Sequence, residues 1–191
     1  MTVAHRERVV RAATSSFLAH GYRSSVDEIA RRAGVAKQTV YHHFPSKDEL
    51  FKEVARDLAQ RVLLELDSPP TGLREGLVRF GLAYRQRVLG AQGIATFRTL
   101  VPEVPRFRAL ARTMYANSAG EMVRRLADYL GRAMDAGGLR REEPRYAAEM
   151  LLSMLVGQDR IKRLYSVPED GESEARRTQK IVDTFLRAFA K

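Results

Sequence analysis

The four histidines, His5, His20, His42 and His43, are the side chains best able to move a proton or hold a metal near neutral pH. Their spacing serves neither purpose. His42 and His43 are adjacent, so on a helix their rings diverge by about 100°, and His5 and His20 stand alone. With no cysteine in the chain, thiol nucleophiles, disulfides and Cys-dependent zinc sites are excluded. The sequence contains no Walker loop, G-x-S-x-G, H-E-x-x-H or G-x-G-x-x-G. Neither catalysis nor any metal or cofactor is expected. What remains is a run of donors, acceptors and flat rings: Lys37, Gln38, Thr39, Tyr41, His42 and His43. Gln and Lys read base edges, Thr meets a thymine methyl or a phosphate, and Tyr and His reach phosphate or stack on sugar.

Charge points the same way. The 191 residues carry 33 Lys plus Arg against 23 Asp plus Glu, a formal charge of +10. Residues 1–47 hold eight cations (Arg6, Arg8, Arg11, Arg23, Arg31, Arg32, Lys37, Lys47) and three acids (Glu7, Asp27, Glu28), a local excess of 8 − 3 = +5. A basic end on a basic protein suits a polyanion, most simply nucleic acid, because Lys and Arg displace counterions from phosphates. The start of the chain lacks the apolar core of a signal peptide. No window approaches the roughly 18 apolar residues of a membrane span. A cytoplasmic protein without membrane attachment is therefore expected.

All seven prolines (45, 69, 70, 102, 105, 144 and 168) fall between segments of helical periodicity, as they must where an interior proline removes a hydrogen bond. Val10, Ala13, Phe17 and Leu18 make one apolar stripe, and Val26, Ile29, Ala30 and Ala33 a second. Phe51, Val54, Ala55, Leu58 and Val62 make a third. No alternation of period two is sustained. The pattern predicts an all-α chain with helices at about 3–20, 26–33, 37–43, 47–66, 72–90, 93–101, 104–136, 145–165 and 173–189. Residues 1–47 form a small head of short helices, which must pack on one another to persist, and 48–191 form a larger helical body.

Ser25-Val26-Asp27-Glu28 has the form of a capping box that opens a helix at Val26. Gly34 stands where a left-handed residue would close it. Ala30 supplies a small residue at the crossing, and Val40 pins the next helix to the first. The result is a helix-turn-helix over about 25–44 whose second member enters the major groove. Ser46-Lys47-Asp48-Glu49 is a second box, placing the Lys47 amine beside helix amides suited to phosphate.

This segment resembles the DNA-binding domain of the TetR family of bacterial transcriptional regulators. The resemblance rests on Phe17, Gly21-Tyr22, Ser24-Ser25-Val26, Ile29-Ala30, Ala33-Gly34-Val35, Thr39-Val40-Tyr41, Phe44, Ser46-Lys47 and Leu50. It implies a three-helix head, a helical ligand-binding domain, a homodimer held by the last two helices, and repression relieved by a small molecule. By motif position it implies DNA contacts from Ser24, Ser25, Lys37, Gln38, Thr39, Tyr41, His42, His43 and Lys47. The segment departs from the family pattern in two respects: Ser24-Ser25 replace the usual threonines, and Ala36 stands where a serine or threonine usually caps the recognition helix.

From residue 104 onward the sequence is similar to the AefR-like class of TetR-family C-terminal domains. Phe80, Tyr84, Phe97, Met114, Tyr115, Met122, Met150 and Gln158 are candidates to line a pocket for a small, largely apolar effector. Wide apolar stripes on the last two helices offer Ala148, Leu151, Leu155, Ile181, Phe185 and Phe189 as candidates for the dimer interface. The expected function is a ligand-responsive repressor that binds a palindromic operator in double-stranded DNA as a homodimer. An activator with the same head is the alternative, followed by a non-regulatory DNA-binding protein, for which the helical body would have no purpose.

Overall fold

The computed structural model describes residues 3–67, 72–168 and 171–191, and among them every regular element is helical. The chain divides into two compact units, one comprising residues up to Leu58 with Ala95–Ser118, the other Ala59–Ile94 with Ala119–Lys191.

In the first unit α1 is Val3–His20, α2 is Val26–Ala33, α3 is Lys37–His43, and the first half of α4 (Lys47–Asp67) completes the head. Helix α2 starts as its capping signal predicts, with the Ser25 hydroxyl accepting from the Glu28 amide at 3.1 Å. Only this arm of the box forms. The Glu28 carboxylate instead takes the Arg32 guanidinium at 3.0 Å. Gly34 ends the helix in the left-handed conformation (φ 64°, ψ 42°), which costs glycine nothing and other residues roughly 1 kcal/mol or more. The turn is closed by the Val35 amide donating to the Ala30 carbonyl at 3.1 Å.

Val9, Ala13, Phe17, Ile29, Ala30, Val40, Phe44, Leu50 and Phe51 form the core of this unit. Val40 is the one residue of α3 that is fully buried. The Phe17 and Phe51 rings meet edge to face at 4.6 Å, and Tyr22 meets Phe51 at 5.2 Å. Burying each such side chain contributes about 1.5–3 kcal/mol.

Helix α5 is Leu73–Leu89 and α6 is Ala91–Leu100. The expected single helix over 104–136 is divided. A 3₁₀ turn occupies Val101–Glu103, α7 is Arg108–Tyr115, a π turn spans Ala116–Gly120, and α8 is Glu121–Asp135. Pro102 and Pro105 each lack the amide N–H that a continuing helical ladder needs, although Val104 between them keeps helical geometry (φ −53°, ψ −43°). In the π turn the Asn117 side chain donates to the Thr113 carbonyl at 2.7 Å and the Ser118 hydroxyl to that of Met114 at 2.7 Å. These side-chain bonds occupy carbonyls at the wide turn, where the regular ladder is disturbed.

The second unit packs α5, α8, α9 (Pro144–Leu164) and α10 (Glu174–Ala188) around Phe80, Leu126, Leu130, Leu151, Leu155 and Phe185, all fully buried. Helix α9 leaves helical geometry at Gly157 (φ 7°, ψ −116°). A charged network joins α5, α9 and α10. Arg85, only 2 % exposed, donates to the Leu155 carbonyl at 2.5 Å, Asp159 at 2.8 Å and Glu174 at 2.7 Å. Arg177 pairs with Asp159 at 3.2 Å and Glu172 at 3.6 Å, and Lys180 with Glu172 at 2.5 Å. Three Arg85 hydrogen bonds, one from Nε and two from Nη1, go to carboxylates or a carbonyl, and such pairing is the condition under which buried charge is tolerated.

Burial pushes the Asp159 carboxyl upward, but the Arg85 hydrogen bond and the Arg85 and Arg177 charges outweigh it and hold the group below its ordinary 3.8. A carboxyl depressed in the folded state stabilises fully above its ordinary value and loses that contribution as pH falls through the folded one. Stability should therefore decline below about pH 3.8 as Asp159 protonates. Arg85→Ala should destabilise the protein by about 1–3 kcal/mol in urea unfolding at neutral pH, because it removes a buried partner from the half-buried Asp159 and Glu174 carboxylates, and should weaken the acid dependence. An Arg85→Ala variant as stable as the parent would show that the network contributes nothing.

Candidate nucleic-acid interface

Gln38, Tyr41 and His42 lie exposed on α3, with Tyr41 at 42 %, while Val40 faces inward. The helix thus presents its polar side chains because one apolar anchor and the following Phe44 fix its rotation against α1 and α2. Thr39 is half-buried on the same helix. Ser25 is exposed, but its oxygen is engaged at the α2 cap. Lys37, the first residue of α3, is exposed and paired with Asp27 of α2, its Nζ 2.9 Å from the carboxylate. That hydrogen bond, and then the Asp27 charge, raise the lysine pKa.

Three expected contacts are modified by the structure. Ser24 is only 2 % exposed, and its hydroxyl donates to the Ser16 carbonyl at 2.8 Å and that of Gly21 at 3.1 Å. It holds the turn before α2, so it is withdrawn from the set facing DNA. Lys47 is half-buried, with its amine on the Tyr22 carbonyl and 4.2 Å from the centre of the Tyr22 ring. Burial lowers its pKa despite the neighbouring Asp48. His43 is half-buried beside His42, their rings 5.5 Å apart. Burial first, then electrostatic interactions with His42, His5 and Arg6, lower its basicity.

The Tyr22 hydroxyl donates to Asp48, and burial with this hydrogen bond raises its pKa to about 12. Tyr22, Lys47 and Asp48 thereby tie the turn before α2 to the start of α4. The sequence signals Lys47 as a phosphate contact but gives no sign of this tie, because the partners are about 25 residues apart.

Residues 9–54 match the family model described as bacterial regulatory proteins, tetR family, and residues 75–191 match that of the AefR-like transcriptional repressor C-terminal domain. The chain belongs to the TetR family. Like the family, it is a DNA-binding transcriptional regulator and not an enzyme.

A TetR-family regulator from Mesorhizobium loti superposes over 100% of both chains with a TM-score of 0.79 and 25% identity. The flavonoid-responsive regulator FrrA superposes over 96% of both with a TM-score of 0.74 and 31% identity. The transcriptional activator FasR of Mycolicibacterium smegmatis is 39% identical over 87 residues, 45% of this chain and 36% of its own length. The A-factor receptor protein of Streptomyces griseus is 34% identical over 87 residues, 44% of this chain and 32% of its own length. The matched segment thus spans about a third of these curated relatives.

Within this TetR-family chain the eight effector-pocket candidates fall into different settings. Phe97, Met114 and Tyr115 belong to the first unit, where Phe97 and Tyr115 are 37 % and 57 % exposed and Met114 packs on the head's core. Phe80, Tyr84, Met122, Met150 and Gln158 belong to the second. Phe80 and Met122 are core residues, Tyr84 stacks on Phe80 at 5.9 Å, and Met150 and Gln158 are exposed. None of the eight lines the open groove of about 440 Å³ formed by Arg61, Val62, Ala83, Gln86, Arg87, Gly90, Ala91 and Gln92.

The candidate interface residues lie inward. Ala148, Leu151, Leu155 and Phe185 are 0 % exposed within their own subunit, Phe189 is 5 % exposed, and Ile181 is half-buried against the same core. Their stripes are consumed by intrachain packing. On α9, Tyr146, Met150 and Ser153 are exposed at i, i+4 and i+7 before the kink, and Gly157 and Ile161 are exposed at and beyond it.

No helix among the described residues is long and apolar enough to cross a membrane. No group of three metal-ligating residues occurs among them.

The recognition helix begins without a side-chain cap, at Ala36 in extended geometry (φ −69°, ψ 151°), the backbone a capping serine adopts. Ala36→Ser should therefore raise the stability of the protein by about 1 kcal/mol in urea unfolding. No gain would mean that the amides of this turn are already satisfied by solvent.

Proposed function

We propose that the protein is a homodimeric repressor that binds a palindromic operator in double-stranded DNA and is released by a small, largely apolar molecule. The observation that carries the reading is the polar face of α3, held outward by Val40. Gln38, Tyr41 and His42 are free to meet base edges and phosphates from that face, with Lys37, Thr39 and His43 flanking them. Residues 1–47 act as the DNA-binding head and 48–191 as the effector-binding and dimerising body. The protein works in the cytoplasm, where the operator is.

Repression is favoured by the description of the model matched by residues 75–191. Release by a small molecule is favoured by the likeness to a flavonoid-responsive regulator over nearly the whole chain. Activation is the second reading, favoured by the match of part of the chain to an activator. The two differ in where the operator lies relative to the promoter.

The dimer is assigned to α9 and α10, with the exposed Tyr146, Met150, Ser153, Gly157 and Ile161 as its seam. Tyr146, Met150 and Ile161 are 49 %, 38 % and 47 % exposed, and the small Ser153 and Gly157 between them let a second helix approach closely. The effector displaces the equilibrium only through its different affinity for DNA-competent and incompetent conformations.

Selection of random duplexes by the purified protein should recover a palindrome with half-site centres about 34 Å apart. Tyr41→Ala should weaken binding at every sequence, and Gln38→Ala should relax base preference by about 1–3 kcal/mol at one position per half-site. Retention of full operator affinity by Tyr41→Ala would remove α3 from the groove. Light scattering should give twice the 21.6 kDa chain mass, and Met150→Glu should return it to the monomer value. A parent that is already monomeric at micromolar concentration would overturn the dimer.

A further inference from the structure

Asp27 has no counterpart in the roles considered so far. It stands in the first turn of α2, and its carboxylate lies 2.9 Å from the Nζ of Lys37, the first residue of α3. Both side chains are open to solvent, at 67 % and 48 %. An acid beside a DNA-facing lysine carries an electrostatic cost, because it repels phosphates as strongly as the lysine attracts them. Taken together the two groups carry no net charge. An ammonium has three donors, however, and Asp27 occupies one.

The other pairings in the head differ in kind. Arg32 pairs along its own helix with Glu28, Arg6 reaches Glu53 in α4, and Lys47 is withdrawn onto Tyr22. Only the Asp27–Lys37 pair links the two helices of the helix-turn-helix among the described ion pairs.

We propose that Asp27 is a specificity-setting residue: it neutralises Lys37 toward phosphates and aims its remaining N–H donors at uncharged base acceptors, such as the O6 and N7 of guanine. A lysine held in this way gains little on arbitrary DNA, where phosphate is the only partner that every sequence offers. On a sequence with a guanine within reach it makes a base contact without leaving Asp27. The carboxylate thus lowers binding to bulk DNA while preserving operator binding. The inference rests on the reading of α3 as the recognition helix.

The test compares the parent, Asp27→Asn, Lys37→Ala and the double variant in the full-length protein. The probes are the duplex recovered by selection and a scrambled duplex of equal length, titrated across a range of salt. Asp27→Asn should tighten binding to the scrambled duplex and add about 0.9 to its salt slope as Lys37 gains a phosphate. Between roughly 50 and 200 mM salt that slope amounts to an extra loss of about 3.5-fold. Affinity for the selected duplex should rise less, so the ratio of the two falls. In the Lys37→Ala background the same substitution should leave the ratio unchanged.

Equal tightening on both duplexes, with or without Lys37, would overturn the proposal and reduce Asp27 to a repulsive surface charge. Weaker binding to the selected duplex alone would overturn it too, since Asp27 would then accept directly from a base such as cytosine. Failure of the unsubstituted protein to prefer the selected duplex would instead defeat the reading of α3 itself. Thermal melting of Asp27→Asn close to that of the parent separates these effects from misfolding.

Discussion

The interface depends on one backbone constraint, the left-handed turn at Gly34. It sets the angle at which α3 leaves α2, and every outward side chain of α3 inherits its direction from that angle. Val40 then fixes rotation about the helix axis, as the single fully buried residue of α3. The helix is too short to persist in isolation. Its conformation is imposed by the apolar residues of α1, α2 and α4, so the chemistry of Gln38, Tyr41 and His42 is positioned by residues that never approach DNA.

Much of this was legible in the sequence because its causes are local. A serine three residues before a glutamate, a glycine after the last apolar position and prolines between periodic stretches act within a turn or two of chain. The boundaries of α2 and α3 follow from them directly. The fate of individual polar groups was not legible, because their partners are distant. Ser24 and Ser25 read alike, yet one is buried under Ser16 and Gly21 while the other caps α2. Lys47 has the type and position of a phosphate ligand, and only the folded chain brings the Tyr22 carbonyl and ring to it. Pro105 suits the first turn of a helix starting at 104, so the later start of α7 at Arg108 had no local signal in the sequence.

The body was harder to read for a related reason. Apolar periodicity marks which face of a helix is covered, but the same stripe serves a subunit core or a contact between subunits. Ala148, Leu151, Leu155 and Phe185 illustrate this: the pattern identified them as covered, and the covering comes from their own chain. The outer α9 residues set two small ones, Ser153 and Gly157, between large ones and so carry a weak apolar signal. Arg85 was invisible in the same way. One of four arginines in an amphipathic helix reads as surface charge, and its carboxylate partners lie 74 and 89 residues further on.

That buried arginine has a consequence for how the two units respond to heat. The cost of removing ions from water falls as temperature rises, whereas apolar burial gains little more per unit area. A unit clasped by matched charges across α5, α9 and α10 therefore holds its structure better on warming than a head secured by apolar contacts and exposed pairs. Warming should then loosen the head before the second unit.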